Sequence, residues 1–309
     1  MVVGSASRDH AADDPRGWRL GGPATYGALT LARLGLGPRV LLGVDEAASR
    51  AEELEWLREA GAEVVLAHLP EGPVLDNIET PEGRIQRCET PGAPLPPSEL
   101  PRSWRSAPSW LIAPVAAELD AAWADVPPDR AFVALGWQGL LRTLSPGATV
   151  ARRPPEASRL LGRARLVGVS RTDLEPAIAD AELLSVLRTP VTLAITDGAR
   201  GGRVLTLIES GTLTERRYPA IRARDVVDPT GAGDAFLAGM MAGLLGHPLA
   251  GSGRRGSEVR LAAALGSLIV ERPGLAGVPR LDEVAVRLAS SLTPRPPSVP
   301  PAPRPDAGS

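Results

Sequence analysis

The chain has 309 residues, 43% of them hydrophobic, and a formal net charge of −2. That is enough apolar material for one large α/β domain, with no electrostatic case for nucleic acid or an anionic membrane as main partner. No apolar run approaches the ~20 residues of a membrane span, and the start MVVGSASRDH lacks the marks of a secretory signal, so a cytoplasmic protein is expected.

The other exclusions come from single residue types. One cysteine, Cys88, rules out an internal disulfide framework, and three scattered histidines argue against a zinc site. All 34 basic residues are arginine, so no Walker A, protein-kinase or Schiff-base lysine exists.

In chain order, residues 1–5 read as a strand that runs toward Asp9, and a carboxylate beyond a strand end in an α/β sheet is where ligands bind. A polar excursion over 10–20 leads to Gly21-Gly22-Pro23, a helix to Leu34 and termination at Gly35 and Gly37. Strand 39–44, helix 46–60 and strand 63–69 give a βαβ rhythm, and hence a parallel sheet. Residues 74–79 and 84–89 read as a hairpin. Strand 110–113 is followed by Pro114 and an expected helix over 115–124. Strand 131–135 leads to Gln138-Gly139-Leu140-Leu141-Arg142. Strand 166–169 precedes Ser170-Arg171-Thr172-Asp173 and an expected helix to about 187. Strand 191–195 ends in Thr196-Asp197-Gly198-Ala199-Arg200-Gly201, and 204–208 pairs with 213–218. Two further helices are read at 258–270 and 281–290. Gly251-Ser252-Gly253-Arg254-Arg255-Gly256 matches a dinucleotide fingerprint but follows no strand, so it reads as a helix–helix loop.

The stretch richest in chemistry is Asp228 to Gly239, expected to follow a strand that ends at Val226 and Val227 and to open a packed helix. Its glycines let the backbone approach a ligand closely, and the first-turn N–H groups, with the helix dipole behind them, favour an anion. Asp234 lies in the same turn. Amides that hold developing charge beside a carboxylate that takes a proton suit phosphoryl transfer.

Asp228-x-Thr230-Gly231-Ala232-Gly233-Asp234-x-Phe236 resembles the C-terminal signature of the ribokinase-like carbohydrate kinases, the PfkB family. The likeness extends through the Gly-Gly start, Thr196-x-Gly198 and the Gln-Gly-x-x-Arg segment to about residue 290. It implies an α/β fold: a three-layer α/β/α sandwich with a mostly parallel central sheet and a small, reduced β-lid built around 10–20 and 73–90. Residues 1–290 would form the kinase domain, and the proline-rich stretch 291–309 a disordered tail.

The resemblance also implies roles. Asp234 would be the base, with the amides of Gly231, Ala232 and Gly233 as the anion hole. Thr196, Gly198, Gly201 and Thr230 would bind ATP. Asp9, Gly21, Gly22 and Tyr26 would face the acceptor. Asp173 would act toward Mg²⁺, and Asp228 with Thr230 would fall in a loop for a monovalent cation such as K⁺. Two departures matter: Ser170-x-x-Asp173 stands where the family has Asn-x-x-Glu, and Tyr26 where it has an Asn that contacts the sugar. The expected function is an ATP-dependent kinase of a small sugar, polyol or inositol-like acceptor, as a monomer or homodimer. A nucleoside kinase of the same fold and a non-catalytic ligand-binding or regulatory protein are the alternatives.

Overall fold

The computed structural model describes residues 1–80, 83–251 and 256–291. The hairpin turn at 81–82, most of the Gly251–Gly256 loop and the proline-rich tail lie outside the described residues.

Three sheets, one of them of only two strands, and six α-helices are found among the described residues. The strands are β1 (Val2–Ser5), β2 (Ser7–His10), β3 (Trp18–Gly21), β4 (Arg39–Val44), β5 (Glu63–His68), β6 (Pro73–Thr80), β7 (Gly83–Pro91) and β8 (Ser109–Ile112). They continue as β9 (Phe132–Gly136), β10 (Arg142–Thr143), β11 (Ala148–Thr149), β12 (Ala151–Arg152), β13 (Leu166–Ser170), β14 (Val191–Thr196), β15 (Gly202–Leu207) and β16 (Leu213–Tyr218). The helices are α1 (Pro23–Arg33), α2 (Glu53–Glu59), α3 (Asp180–Ser185), α4 (Ala232–Leu244), α5 (Ser257–Ile269) and α6 (Leu281–Ser290).

The main sheet runs β16-β15-β14-β13-β9-β8-β1-β4-β5. From β14 to β5 every neighbour is parallel, and β15 and β16 close one edge antiparallel. Parallel strands covered on both faces read as continuous apolar runs, and the two-residue period divides each run between two cores. Val40, Leu42, Leu111, Ala134, Leu166 and Ala194 pack with α1, α2, α4, α5 and α6. Leu41, Trp110, Ile112, Val133, Leu135, Val167 and Leu193 face the other layer, with Trp104, Trp123 and Leu183 of α3. The fold is thus a large, mostly parallel sheet between two layers. One layer is helical. The other is built mostly of short 3₁₀ turns and loops. Among the described residues no helix is long and apolar enough to cross a membrane.

The lid is a second sheet of order β11-β7-β6-β2-β3. It has five strands, more than the short 10–20 connection led us to expect, because β2 and β3 turn that excursion into a hairpin and the distant β11 adds an edge. Asp9 therefore lies within a lid strand, β2, rather than at the end of the first strand. Leu75, Cys88 and Val115 form a small core under the lid, joined by Leu144 and Val150.

Three expected elements differ. Residues 115–120 are not helical: the Glu118 carboxylate accepts from the N–H groups of Val115 and Ala116 (2.6 and 2.7 Å), which satisfies them without a helix. Only a 3₁₀ turn, Ala121–Asp125, follows. The helix read over 174–187 shrinks to α3, since Pro176 cannot sit in a helix interior. The segment before Asp228 is not a strand. The N–H groups of Val227 and Asp228 both donate to Val270 O (2.7 and 3.1 Å), and the valine side chains stay exposed.

Candidate active site

The turn that starts α4 is held from three sides. Gly231 has φ +78°, a conformation L side chains rarely adopt, and a Cβ there would lie 2.4 Å from the Tyr26 ring. Tyr26, on α1, is 2% exposed. It packs beneath the turn as part of the core. Asp228 Oδ1 accepts from Thr230 N (2.9 Å), and Oδ2 from Gly274 N (2.9 Å), which ties the signature to the turn before α6. Ala232 N–H closes a turn onto Pro229 O at 3.3 Å. Among the described residues the N–H groups of Gly231 and Gly233 have no backbone partner, so of the three expected anion-hole amides these two are the open ones.

Asp234 follows in the first turn of α4. Its pKa is raised from 3.8 to about 7. Burial is the largest cause, the negative charges of Asp173 and Asp9 add to it, and the Arg142 guanidinium opposes them. The sheet topology brings these four groups together. Asp9 comes from β2, Asp173 from the 3₁₀ turn after β13, Asp234 from α4, and Arg142 opens β10. The Ser7 hydroxyl donates to Asp9 Oδ1 (2.7 Å), and Asp9 Oδ2 packs so tightly on Gly21 that a Cβ there would lie 2.4 Å away. Gly22, at φ +98°, caps α1. Asp9, Gly21 and Gly22 thus form one wall beside the Asp234 turn.

Asp173 accepts from Gln138 Nε2 (2.8 Å) at Oδ1 and from Ser170 N (3.0 Å) at Oδ2. Burial pushes its pKa upward, with the Gln138 and Ser170 hydrogen bonds opposing. Among the described residues no group of three or more His, Cys, Asp or Glu side chains could cage a metal. Mg²⁺ in phosphoryl transfer takes most of its ligands from phosphate and water, so one carboxylate suffices, and Asp173 and Asp228 each keep lone pairs beyond the two hydrogen bonds they accept.

Of the expected nucleotide residues, Thr196, Gly198 and Gly201 lie at the carboxyl end of β14, and Thr230 lies in the signature turn before α4. Thr196 Oγ1 donates to Val169 O (3.5 Å). Gly198 and Gly201 have φ +53° and +87°, and a Cβ on Gly201 would meet Tyr218 O at 2.1 Å. Beside them a cleft of about 620 Å³ is lined by Arg171, Arg200, Arg203, Arg217, Asp197 and Tyr218, among others. Tyr218 stacks on Phe236 of α4 (5.3 Å between centroids), so the cleft adjoins the helix that carries Asp234.

Gln138 and Arg142 were visible in the sequence only as a resembling segment with no role. The signal for them was Gly139: a Cβ there would lie 2.3 Å from Pro114 O. Only glycine lets this turn press against the 114–118 loop, which places Gln138 on Asp173 and Arg142 under the lid. Arg142 Nε donates to Val115 O (2.6 Å), and Nη1 to Gln86 Oε1 of β7 (2.8 Å).

The pfkB family carbohydrate kinase profile matches residues 154–280, which include the signature. No curated protein matches the chain in sequence. Solved structures share its fold at low identity. A pyrophosphate-dependent kinase in the ribokinase family, complexed with a pyrophosphate analog and myo-inositol, has a TM-score of 0.69 at 18% identity, over 93% of this chain and 100% of that one. Ribokinase of Arabidopsis thaliana, complexed with ribose and ATP, has a TM-score of 0.65 at 18% identity, over 93% and 97%. A nucleoside kinase of Methanocaldococcus jannaschii has a TM-score of 0.65 at 17% identity, over 94% and 98%.

Proposed function

With a pfkB-family kinase domain on a ribokinase-like fold, this chain is, we propose, a kinase that transfers the terminal phosphoryl group of ATP to a hydroxyl of a small sugar, polyol or inositol-like acceptor. The observation that carries this reading is Asp234: a carboxylate with its pKa raised to about 7, one turn from the open amides of Gly231 and Gly233. A base works best with a pKa near the working pH.

In this reading the acceptor lies between the lid and α4, against Asp9, Gly21 and Gly22. Asp234 takes the proton from the attacking hydroxyl as its oxygen bonds to the transferred phosphorus. The amides of Gly231 and Gly233 donate to the phosphoryl oxygens, where charge is greatest in the transition state, with Ala232 closing the turn that aims them. Thr196, Gly198, Gly201 and Thr230 flank the rest of the donor. Asp173 would hold Mg²⁺, which would supply neutralising charge for the phosphoryl group, and the Asp228–Thr230 loop would be the place for a monovalent cation such as K⁺.

The test is transfer of radiolabel from [γ-³²P]ATP to a panel of sugars, inositols and nucleosides by the wild type and Asp234→Asn. We expect label in at least one acceptor and its loss in the variant, and equal transfer by both would refute the base. A second reading, inorganic pyrophosphate as donor, is motivated by the four arginines that line the adjacent cleft, although Arg200, Arg203 and Arg217 already pair with Asp197, Asp180 and Glu215. Replacing ATP with labelled pyrophosphate in the same assay separates the two donors.

A further inference from the structure

The proposed chemistry gives no task to Tyr26, the residue of α1 that departs from the family pattern. Its side chain belongs to the core on the helical face of the main sheet and is 2% exposed. A Cβ on Gly231 would lie within 2.6 Å of three ring atoms, Cδ1, Cε1 and Cγ. Three adjacent ring carbons at nearly equal distance place that point over the face of the ring. The Gly231 hydrogen in this position therefore points onto the ring, and the backbone of the signature turn rests on it.

The other contacts of the turn fix its surroundings. Asp228 holds the N–H groups of Thr230 and Gly274, Ala232 N–H closes onto Pro229 O, and Gly231 O accepts from Ala235 N–H (2.9 Å). None of these takes the N–H of Gly231. Glycine adopts φ of either sign at little cost, so a rotation of the Thr230–Gly231 peptide could turn this N–H away from an anion in front of α4. A ring packed against the α-carbon removes the space for that rotation.

The same helix carries the acceptor wall. Tyr26 N–H donates to Gly22 O (3.2 Å), so the ring lies one turn from Gly21 and Gly22. At the far end of the helix pair, His247 accepts from Leu249 N–H at Nδ1 (3.3 Å) and so donates from Nε2 to Leu34 O (2.9 Å). Leu34 caps α1, and His247 lies just beyond α4. The two helices are thus joined at both ends, by His247 at one and by the Tyr26–Gly231 contact at the other. A misplacement of about 1 Å between reacting groups can cost on the order of 10²-fold in rate. The ring is the part that sets this distance at the site.

We infer that Tyr26 is a positioning residue for phosphoryl transfer: its ring keeps the Gly231 N–H aimed at the transferred group and fixes that amide relative to the Gly21–Gly22 wall. The inference rests on the kinase reading for the role of the amide, and it goes beyond that reading by giving a core residue a share in the rate. The amide works hardest in the transition state, so loss of the ring falls on kcat, whereas the wall itself stays in place and the acceptor KM with it.

The test compares the wild type, Tyr26→Phe and Tyr26→Leu, with near-ultraviolet circular dichroism to establish that each variant is folded. Tyr26→Phe keeps the ring and should keep most of kcat. Tyr26→Leu should lower kcat about 10- to 100-fold, with the acceptor KM within about 3-fold of the wild type. Thr230-Gly231 is the one Thr-Gly pair in the sequence, so carbonyl-¹³C threonine combined with ¹⁵N glycine isolates the Gly231 amide resonance. It should shift on titration with inorganic phosphate in the wild type and Tyr26→Phe, and stay still in Tyr26→Leu. If Tyr26→Leu does not fold, Tyr26→Met, which refills more of the space, takes its place in both measurements. A raised acceptor KM with kcat unchanged, equal losses in Tyr26→Phe and Tyr26→Leu, an amide response that survives loss of the ring, or no response in the wild type overturns the inference. No transfer by the wild type to any acceptor refutes the kinase reading instead, and the amide titration then decides the part of Tyr26 by itself.

Discussion

Asp234→Asn should cut turnover and, by the same physics, make the protein more stable in alkaline solution. The folded-state pKa of Asp234 is about 7 against 3.8 for an ordinary Asp, with burial as the main cause. A carboxyl with a raised pKa holds its proton more tightly folded than unfolded. Its favourable contribution is therefore complete below about pH 4 and lost as the pH rises through 7. At pH 8 the gap between the two values sets a ceiling of about 4 kcal/mol on the penalty of keeping this charge. Partial access to water reduces that to about 2 kcal/mol. Asparagine has nearly the same shape and no charge to desolvate. In EDTA at pH 8 the variant should melt about 3 °C above the wild type, and near pH 4 the two should melt within about 1 °C of each other. Turnover by the variant should fall by about 10²–10⁴-fold. A melting difference that is the same at pH 4 and pH 8 would refute the argument that burial and its neighbours strain this carboxylate.

Three further outcomes follow from other contacts. Asp173→Asn removes a negative charge that raises the pKa of Asp234, so the acid limb of the rate profile should move to lower pH and the Mg²⁺ concentration for half-maximal rate should rise. A limb that moves upward contradicts the charge arrangement. Gly231→Ala combines φ +78° with a Cβ 2.4 Å from the Tyr26 ring, and should cost about 2 kcal/mol or more in denaturant melts together with most of the activity. Arg16 pairs with Glu53 through two contacts (2.6 and 2.8 Å), and Glu53 is 3% exposed. Arg16→Met should therefore destabilise by about 3 kcal/mol by leaving a buried charge unpaired, an effect that vanishes in Arg16→Met/Glu53→Met.

The sequence exposed those parts of the molecule whose signal is local. Gly231, Gly233 and Asp234 sit together in one turn, so the chemistry proposed for them could be read without a fold. The parallel sheet was legible because each βαβ unit spans few residues. What escaped depended on long-range contacts. Residues 115–120 have helical composition, yet Glu118 turns back to satisfy the local N–H groups. The contact of the Tyr26 ring with Gly231, 205 positions later in the numbering, has no local trace in the sequence. Arg142 has no meaning until Gln86 and Val115 are brought to it.

The lid draws its strands from four separated stretches of chain, residues 7–10, 18–21, 73–91 and 148–149. Such a sheet cannot be transplanted between kinases as a cassette or deleted at two cut sites, because each cut leaves another of its strands behind. A change to this lid is therefore made one side chain at a time, as at Asn77 or Gln86, whose amides join β6 to β7, and not by exchange of the sheet that carries them.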